Sequence, residues 1–371
     1  MKEKNEARAC ALKTSIGGQA LMEGIMMRGP QKAMLAVRNT QGEIVVEECE
    51  IKANKRPKFC RWPFIRGIFG YIDSMVIGYK ALMRSAELSG LEDIVEEKPK
   101  KKKKREAAEA AALETQGDAV TENTEVADSN TAEEAAKKDE KKEDKLPAWV
   151  TSVVMTLGTV LGFVLALGLF VYLPAQLFEW LKLAIPSLET DNAIANSAIK
   201  SSIEGVTRII ILIGYMSLML LMKDIRRTFM YHGAEHKCIF CYEAGLELTV
   251  ENVRKQHRFH PRCGTSFLVL MVLVSIIISF FIDPISIAIS GSTLPILLRV
   301  SVKLLLLPLI VGTGYELIKL AGRHDNWFTR AISLPGVWFQ HITVFEPTDD
   351  MIECAIAAME PVIPQDGSDK W

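Results

Sequence analysis

Histidine and cysteine residues are concentrated in one polar stretch of this 371-residue chain, residues 231–267. The stretch holds four of the six histidines and three of the seven cysteines, and apolar runs long enough to cross a membrane lie on both sides of it. Imidazole nitrogen and thiolate sulfur are the ligands that zinc prefers in proteins. The sequence therefore predicts a metal site in a polar loop of a membrane protein.

The first part of this loop is a His-x-x-Glu-His pattern formed by His232, Glu235 and His236. Residues four apart share a helix face, so both imidazoles could bind one ion. A carboxylate beside the second histidine resembles inverted zinc-protease motifs, in which it activates the metal-bound water. The pattern requires a helix, which we predict over residues 223–241, although Gly233 weakens it. The alternative is a histidine pair that only hydrogen-bonds to backbone or headgroups at a membrane interface.

The second part of the loop, His260-Pro261-Arg262-Cys263, supplies a third nitrogen and a thiolate. Three protein ligands with an open position would make the site catalytic, whereas four would make it structural, and the spacing does not choose between them. Arg262 is a candidate for holding an anionic substrate group such as a phosphate or carboxylate. The candidate metal ligands are thus His232, His236, His260 and Cys263, and the candidate catalytic residues are Glu235 and Arg262.

A competing arrangement pairs Cys238-x-x-Cys241 with His260-x-x-Cys263 as a ribbon-like structural zinc site. We favour the first arrangement, because Ile239 and Phe240 look like residues of a packed helix face. Cys238 and Cys241, which flank these two residues, are then interpreted as small buried hydrophobic side chains.

The rest of the chain alternates between apolar and highly charged segments. Residues 96–145 are almost wholly polar and begin with a lysine block at 98–105, so residues 92–147 are predicted to be a disordered charged linker. Alternatively, the lysine block rests on anionic lipid. The net charge of −1 identifies no partner, and no nucleic-acid partner is expected. An odd number of cysteines without disulfide spacing suits a reducing compartment.

Four apolar runs are long enough to be read as membrane spans, the second only if Arg208 snorkels to the interface. Pro308 is expected to kink the fourth. Basic residues are abundant in the loop after span two and absent between spans three and four, which predicts that both termini and the His/Cys loop face the cytoplasm. The predicted spans are residues 146–178, 209–222, 266–287 and 297–320.

The flanking segments have the patterns of soluble structure. Residues 33–51 read as two strands around a turn at 39–42, and the stripe from Phe64 to Leu88 reads as an amphipathic helix lying on the membrane or on the spans. Residues 337–345 read as a strand, followed by a helix with Thr348 as its N-cap. These segments are predicted to pack into one small cytoplasmic α+β part.

The glycine-rich opening and the acidic residue Glu316 are two further candidates for a functional role. The glycine-rich opening around residues 15–32 lacks any phosphate-loop or dinucleotide spacing, so we interpret it as a segment packed on the spans. Glu316, at the inner end of span four, is a functional candidate as an intramembrane acid, unless it snorkels or pairs with Lys319.

The predicted fold is therefore an α-helical membrane protein with about four spans and a small α+β part. Its expected divisions are an N-terminal segment (1–91), the linker (92–147), a membrane domain (148–322) that contains the His/Cys loop (223–265), and a C-terminal strand and helix (323–371).

Six segments together resemble the YqhQ-like family: GGQALMEGIMMRGP, YHGAEHK, LTVENVR, HPRCGTSFL, YELIKLAGR and PGVWFQHITVFEP. These are bacterial multi-span membrane proteins of unknown function, described at most as predicted metal-dependent enzymes. The resemblance covers nearly the whole chain outside the linker. It implies a metal site on His232, Glu235, His236, His260 and Cys263, but no particular reaction. Cys238 and His257 stand outside the family pattern, which counts further against the ribbon arrangement.

Two functions follow as hypotheses. The first is a metal-dependent hydrolase that acts at the membrane with a divalent ion, best matched by zinc, and a lipid partner. The second is a non-enzymatic assembly or accessory factor for another membrane protein, with a structural metal. A transporter ranks third, because the chain shows one clear buried acid and no internal repeat. A cleft beside an open metal position would favour the enzyme, whereas a closed four-ligand site under an exposed apolar patch would favour the accessory factor.

Overall fold

The computed structural model describes residues 13–49, 57–90, 148–188, 190–324 and 326–369. The linker predicted over residues 92–147 lies outside these ranges.

A four-stranded antiparallel sheet in the order β1-β2-β3-β4 forms the N-terminal part. The hairpin predicted over residues 33–51 is confirmed as β3 and β4. The interpretation of the preceding glycine-rich segment as packing on the spans is wrong, because it forms β1 and β2. Glycine is needed there: a Cβ on Gly24 would lie 2.4 Å from the Ala36 carbonyl oxygen of the neighbouring strand. The strands are β1 (Gly17–Leu21), β2 (Gly24–Arg28), β3 (Ala33–Arg38) and β4 (Ile44–Cys49).

Eleven α-helices follow in the described residues. The predicted amphipathic helix is confirmed as α1, and the predicted helix over residues 223–241 is confirmed as α5. The helices are α1 (Ile65–Leu88), α2 (Ala148–Leu167), α3 (Leu173–Ala184), α4 (Ala193–Met219), α5 (Lys223–Glu243), α6 (Val250–Arg254), α7 (Gly264–Ser290), α8 (Ile296–Leu305), α9 (Leu307–Arg323), α10 (Trp327–Thr343) and α11 (Asp349–Met359).

The two faces of the sheet bury side chains against different helices. Because side chains alternate along a strand, Ile25 and Met27 of β2 point to one face and Met26 to the other. The first pair joins a core built with residues of α5 and α11. Met26 joins a second core that includes Ala81 of α1. The sheet therefore lies between α1 on one side and the C-terminal helix α11 with α5 on the other.

Three helical segments are long and apolar enough to cross a membrane, or four if a bent pair counts as one span. The bent pair, α8 and α9, turns by 45°. Pro308 is the second residue of α9 and cannot donate a backbone hydrogen bond there, so the predicted kink is confirmed. The unbroken candidate spans are Thr156–Ala184, Ala193–Met219 and Gly264–Ser290.

The second candidate span begins well before residue 209, so Arg208 lies inside α4 instead of snorkelling from its end. Its guanidinium is buried and donates to the Phe170 carbonyl oxygen (3.1 Å) and to Glu204 (2.9 Å). The interfacial position expected for Arg208 is therefore wrong. A buried arginine among apolar helices requires such partners, because water is not available to it.

Arg208 belongs to a network of five charged side chains contributed by α4, α7 and α8, of which four are buried and Lys303 is partly buried. Glu204 lies 3.1 Å from Arg299 and 3.0 Å from Lys303, and Arg299 also contacts Asp283 at 2.6 Å. Two carboxylates thus hold three basic groups where the candidate spans pack together. Of these acids and Glu316, only Glu316 was predicted from the sequence to lie within the membrane, and the network is not apparent from local sequence.

Glu316 of α9 pairs with Arg66 of α1 in a bidentate contact, with distances of 2.7 and 2.5 Å. Pairing with Lys319 was one of the alternatives that the sequence left open, and the partner is Arg66 because α1 packs along α9. A Cβ on Gly67 would lie 2.7 Å from the Tyr315 side chain, so the two helices approach closely at that point. The outer side of α1 exposes Ile72, Val76 and other apolar residues.

The strand predicted over residues 337–345 is wrong, because residues 337–343 belong to α10. Asn326 and Thr329 form a capping box that starts this helix. Phe339, Gln340 and Thr343 then recur at helical intervals on its buried face, and helical packing outweighs the β-branched composition that suggested a strand. The helix predicted after Thr348 is confirmed as α11, with Asp349 and Asp350 in its first turn.

Candidate metal centre

Helix α5 places His232 and His236 one turn apart on a buried face. Their rings lie 4.4 Å apart between centroids. The approaching third group is Cys263, the N-cap residue of α7, whose Sγ lies 3.0 Å from Nε2 of His232. Ligand atoms of these three residues all lie within 4.8 Å of one another. This is a spacing that a single ion can bridge.

The outer nitrogen of each histidine is held by a backbone carbonyl. Nδ1 of His232 lies 3.0 Å from the Thr343 oxygen, and Nδ1 of His236 lies 2.5 Å from the Arg258 oxygen. A carbonyl only accepts hydrogen bonds, so each Nδ1 carries the proton in the neutral ring and each Nε2 is left with a lone pair. Metal-binding histidines have this arrangement, which fixes their tautomer and orientation.

Two further observations show that the residues fit a cation. Nε2 of His236 is buried and has no hydrogen-bond partner among the described residues. Burial opposes ionisation of the Cys263 thiol, but the imidazoles of His232 and His236 lower its pKa well below the usual value. Correspondingly, burial opposes protonation of His232, but Cys263 raises its pKa to about 9, so that Nε2 holds a proton shared with the Cys263 sulfur near neutral pH. A bound cation would replace that proton and leave the Nε2 lone pair as its ligand. The sulfur is thus available as a thiolate, the form that binds metals.

Glu235 lies beside this group with its side chain buried. Burial raises the pKa of its carboxyl, against the opposing effect of His232 and His236. Oε1 accepts a hydrogen bond from the backbone N–H of Gly18 at 3.0 Å. A Cβ on Gly18 would lie 2.7 Å from the Met26 oxygen and 3.0 Å from Cδ of Glu235. Only glycine allows this approach, and the glycine-rich opening was the signal that sequence reasoning assigned to another role.

His260 is buried nearby but lies outside the group of three ligand residues. Its Nδ1 accepts the backbone N–H of Arg262 at 3.2 Å, and its Nε2 lies 3.8 Å from Glu243. Burial lowers the pKa of His260 to about 4, so the ring is neutral near pH 7. Gln340 of α10 holds the backbone of His260 on both its N–H and its carbonyl oxygen.

Arg262 is engaged within the protein. Its guanidinium forms an ion pair with Glu243 and donates to the Thr14 carbonyl oxygen at 2.7 Å. Because Glu243 neutralises it, Arg262 is less available to an anion than its position between His260 and Cys263 suggested.

Cys238 and Cys241 are not brought to Cys263. Both are buried in the core that α5 shares with the sheet and α11. Burial raises the pKa of each thiol, so both remain protonated near neutral pH. The arrangement agrees with the interpretation of these residues as small hydrophobic side chains.

A cavity of about 510 Å³ lies beside the metal-binding group. Cys263 and Gly18 are in its wall, together with residues of β2, α1, α7 and α9. Gly18, which hydrogen-bonds to Glu235, and Cys263, one of the three ligand residues, therefore border the same cavity.

Gly233 allows the chain after α10 to pack directly on α5. A Cβ at this position would lie 2.0 Å from the Phe345 carbonyl oxygen. We therefore expect Gly233→Ala to lower the free energy of unfolding by about 1–3 kcal/mol, because the backbone must move apart. Thermal unfolding in detergent would measure the loss. Gly214→Ala is the control, since its Cβ meets open space, and an equal effect of the two variants would contradict the expectation.

The described residues thus define a helical protein with three or four candidate membrane spans and a buried His/His/Cys group beside a cavity. The chain belongs to a family whose description is "Protein of unknown function (DUF1385)", and the match covers residues 62–365. It is 30% identical over 349 residues to the "Uncharacterized protein YqhQ" of Bacillus subtilis (strain 168), covering 94% of this chain and 92% of that protein. The resemblance to the YqhQ-like family is confirmed. No solved structure matches the chain.

Proposed function

We propose that this protein is a metal-dependent hydrolase of the bacterial cell membrane. The observation that carries the proposal is the convergence of His232, His236 and Cys263, with their ligand atoms within 4.8 Å, beside a buried carboxylate and an adjoining cavity. Three protein ligands leave a fourth position for water or substrate, as catalytic zinc sites require. The basic residues of the loop support a cytoplasmic location for the site.

The chain's own residues have separable roles in this reaction. A divalent ion such as zinc, when bound, supplies Lewis acidity that makes a water molecule a stronger nucleophile. Glu235 would act as the base that accepts a proton from a water molecule at this position, and the Gly18 N–H orients its carboxylate by donating to Oε1. The same carboxyl then returns the proton to the leaving group. Burial raises the pKa of this carboxyl, which makes its carboxylate a stronger base.

Glu235→Gln separates this function from a structural metal site. The amide keeps the shape of the side chain, so we expect the variant to retain bound metal and thermal stability while activity falls by roughly 10²–10⁴-fold, the usual contribution of a general base. Metal content of purified protein and complementation of a deletion strain are the measurements. Glu251→Gln, at an exposed carboxylate that pairs with Lys255, is the matched control.

The alternative function, an accessory factor with a structural metal, makes the opposite prediction. The variant Glu235→Gln would then complement fully, whereas variants at the ligand residues would not. Such a result would remove the hydrolase proposal and leave the metal site intact.

A further inference from the structure

The cavity beside the metal centre is built at one end of the candidate spans. Its wall includes Gly264 and Phe267 from the first turn of α7, and Tyr315 and Ile318 from the second half of α9. The sheet closes another side. At about 510 Å³ the cavity is in the size range of small-molecule sites.

The apolar part of the wall continues onto the outside of the protein along α1. Met75 lines the cavity and is itself half-exposed, beside the exposed Ile72 and Val76. The Arg66–Glu316 ion pair attaches this helix to α9, one of the two helices of the bent span. An amphipathic helix with an exposed apolar side, attached to a membrane span, is suited to lie in the lipid interface. Apolar side chains therefore lead from the exposed side of α1 to the cavity wall at Met75.

One basic side chain in the cavity wall lacks the acidic partner that the basic residues described above have. Arg28, the last residue of β2, is half-buried, and its side chain has no hydrogen bond or ion pair with any of the described residues. It points to the α1 side of the sheet, the same side as Met26, because the two are two residues apart on one strand. Arg262, also in the wall, is neutralised by Glu243. The charge of Arg28 is thus left uncompensated, and a bound anion would supply the missing partner.

Space for that anion is present opposite Arg28. Gly17 pairs with Arg28 in the register of β1 and β2 and lines the cavity. A Cβ on Gly17 would meet no atom within 4 Å, unlike one on Gly18, which would collide with its neighbours. Gly17 is therefore required for no internal contact and leaves volume free beside the guanidinium.

We propose that this cavity binds an amphiphile with an anionic head, a phosphate or a carboxylate, and an apolar chain, with Arg28 pairing with the head and the chain lying along α1 and α9. This inference rests on the proposed function, because it supplies the substrate class for the same site. Arg28 is a binding residue in this scheme and takes no part in proton transfer.

Binding can be tested apart from turnover in the Glu235→Gln protein, full-length and in a neutral maltoside detergent. The probe is dioctanoyl phosphatidic acid, followed by calorimetric titration, and Arg28→Gln is expected to weaken its binding about tenfold or more. Gly17→Leu should weaken it comparably by filling the cavity. Both variants should retain metal. Arg84→Gln is the control, since it removes the same charge from the exposed surface of α1 and should leave binding unchanged.

Three results would overturn the inference. Equal weakening by Arg84→Gln would show general surface attraction. Dioctanoylglycerol lacks the charge and inorganic phosphate lacks the chain. If either bound as tightly as dioctanoyl phosphatidic acid, binding would not require both the anionic head and the apolar chain. The hydrolase proposal fails separately, if Glu235→Gln remains active in cells.

Discussion

Purified His236→Ala protein is expected to bind zinc at least about 100-fold more weakly than the wild type. Second-shell changes alone cost 10–100-fold in metal affinity, and this substitution removes a ligand whose Nε2 has no other partner among the described residues. Zinc content after dialysis against a competing chelator would measure the change. Cys263→Ser should behave similarly, because a hydroxyl is a much poorer zinc ligand than a thiolate.

Two other histidines of the same loop make this test discriminating. His257 is exposed, so His257→Ala should retain zinc and serves as the control. His260→Asn should also retain it, because His260 lies outside the group of three. If His260→Asn loses zinc as completely as His236→Ala, the site has four protein ligands and the structural alternative gains support. Equal zinc in all variants would contradict a metal site at these residues.

Removing the Glu204 carboxylate is expected to lower the free energy of unfolding by about 3–5 kcal/mol, the usual cost of breaking a buried ion pair. Glu204 is fully buried and contacts Arg208, Arg299 and Lys303, so Glu204→Ala would leave three cations with only Asp283. The reduced hydration available between membrane spans makes such uncompensated charge expensive. Thermal unfolding in detergent would report the loss.

The matched control is Glu179→Ala, which removes an exposed carboxylate that lies 3.5 Å from Lys200. Exposed pairs contribute about 0–1 kcal/mol, so this variant should be nearly as stable as the wild type. Equal stability of the Glu204 and Glu179 variants would show that water reaches the buried network and compensates its charges.

The elements with strong local signals were predictable from the sequence. The β3–β4 hairpin, the amphipathic α1, the helix that carries the His-x-x-Glu-His pattern and the kink at Pro308 all follow from periodicity or from proline chemistry. The convergence of His232 and His236 also followed from helical spacing. These features depend on residues close together in the chain, which is why sequence reasoning could find them.

The features that it missed depend on contacts between distant segments. Gly18 looked like part of an irregular segment because nothing local reveals that its backbone must meet Glu235, 217 positions away. The helix α10 was read as a strand because its β-branched residues have strand preference, while its packing on α7 was invisible. Asp283 lies inside the predicted third span, and nothing near it in the sequence indicates that it pairs with Arg299 of another helix.

Buried acids bear on the transporter hypothesis as well. The low rank of that hypothesis relied partly on one clear buried acid, and Glu204 and Asp283 now join Glu316. Each of the three is paired with a basic residue in the described structure. Three such acids no longer count against a transporter as one acid did. Their pairing with basic residues agrees instead with a role in holding the helices together.

The two carbonyl groups that orient the histidines have a consequence for the newly synthesised chain. Thr343 follows His232 by 111 positions, and Arg258 follows His236 by 22. A ribosome that has just finished α5 has therefore made both imidazoles but not the segment that orients the first of them. The ion is expected to be acquired only after translation has passed Thr343 and the C-terminal segment has docked. Only full-length chains would then retain the ion tightly, and chains truncated before α10 would leave the ribosome without a bound ion.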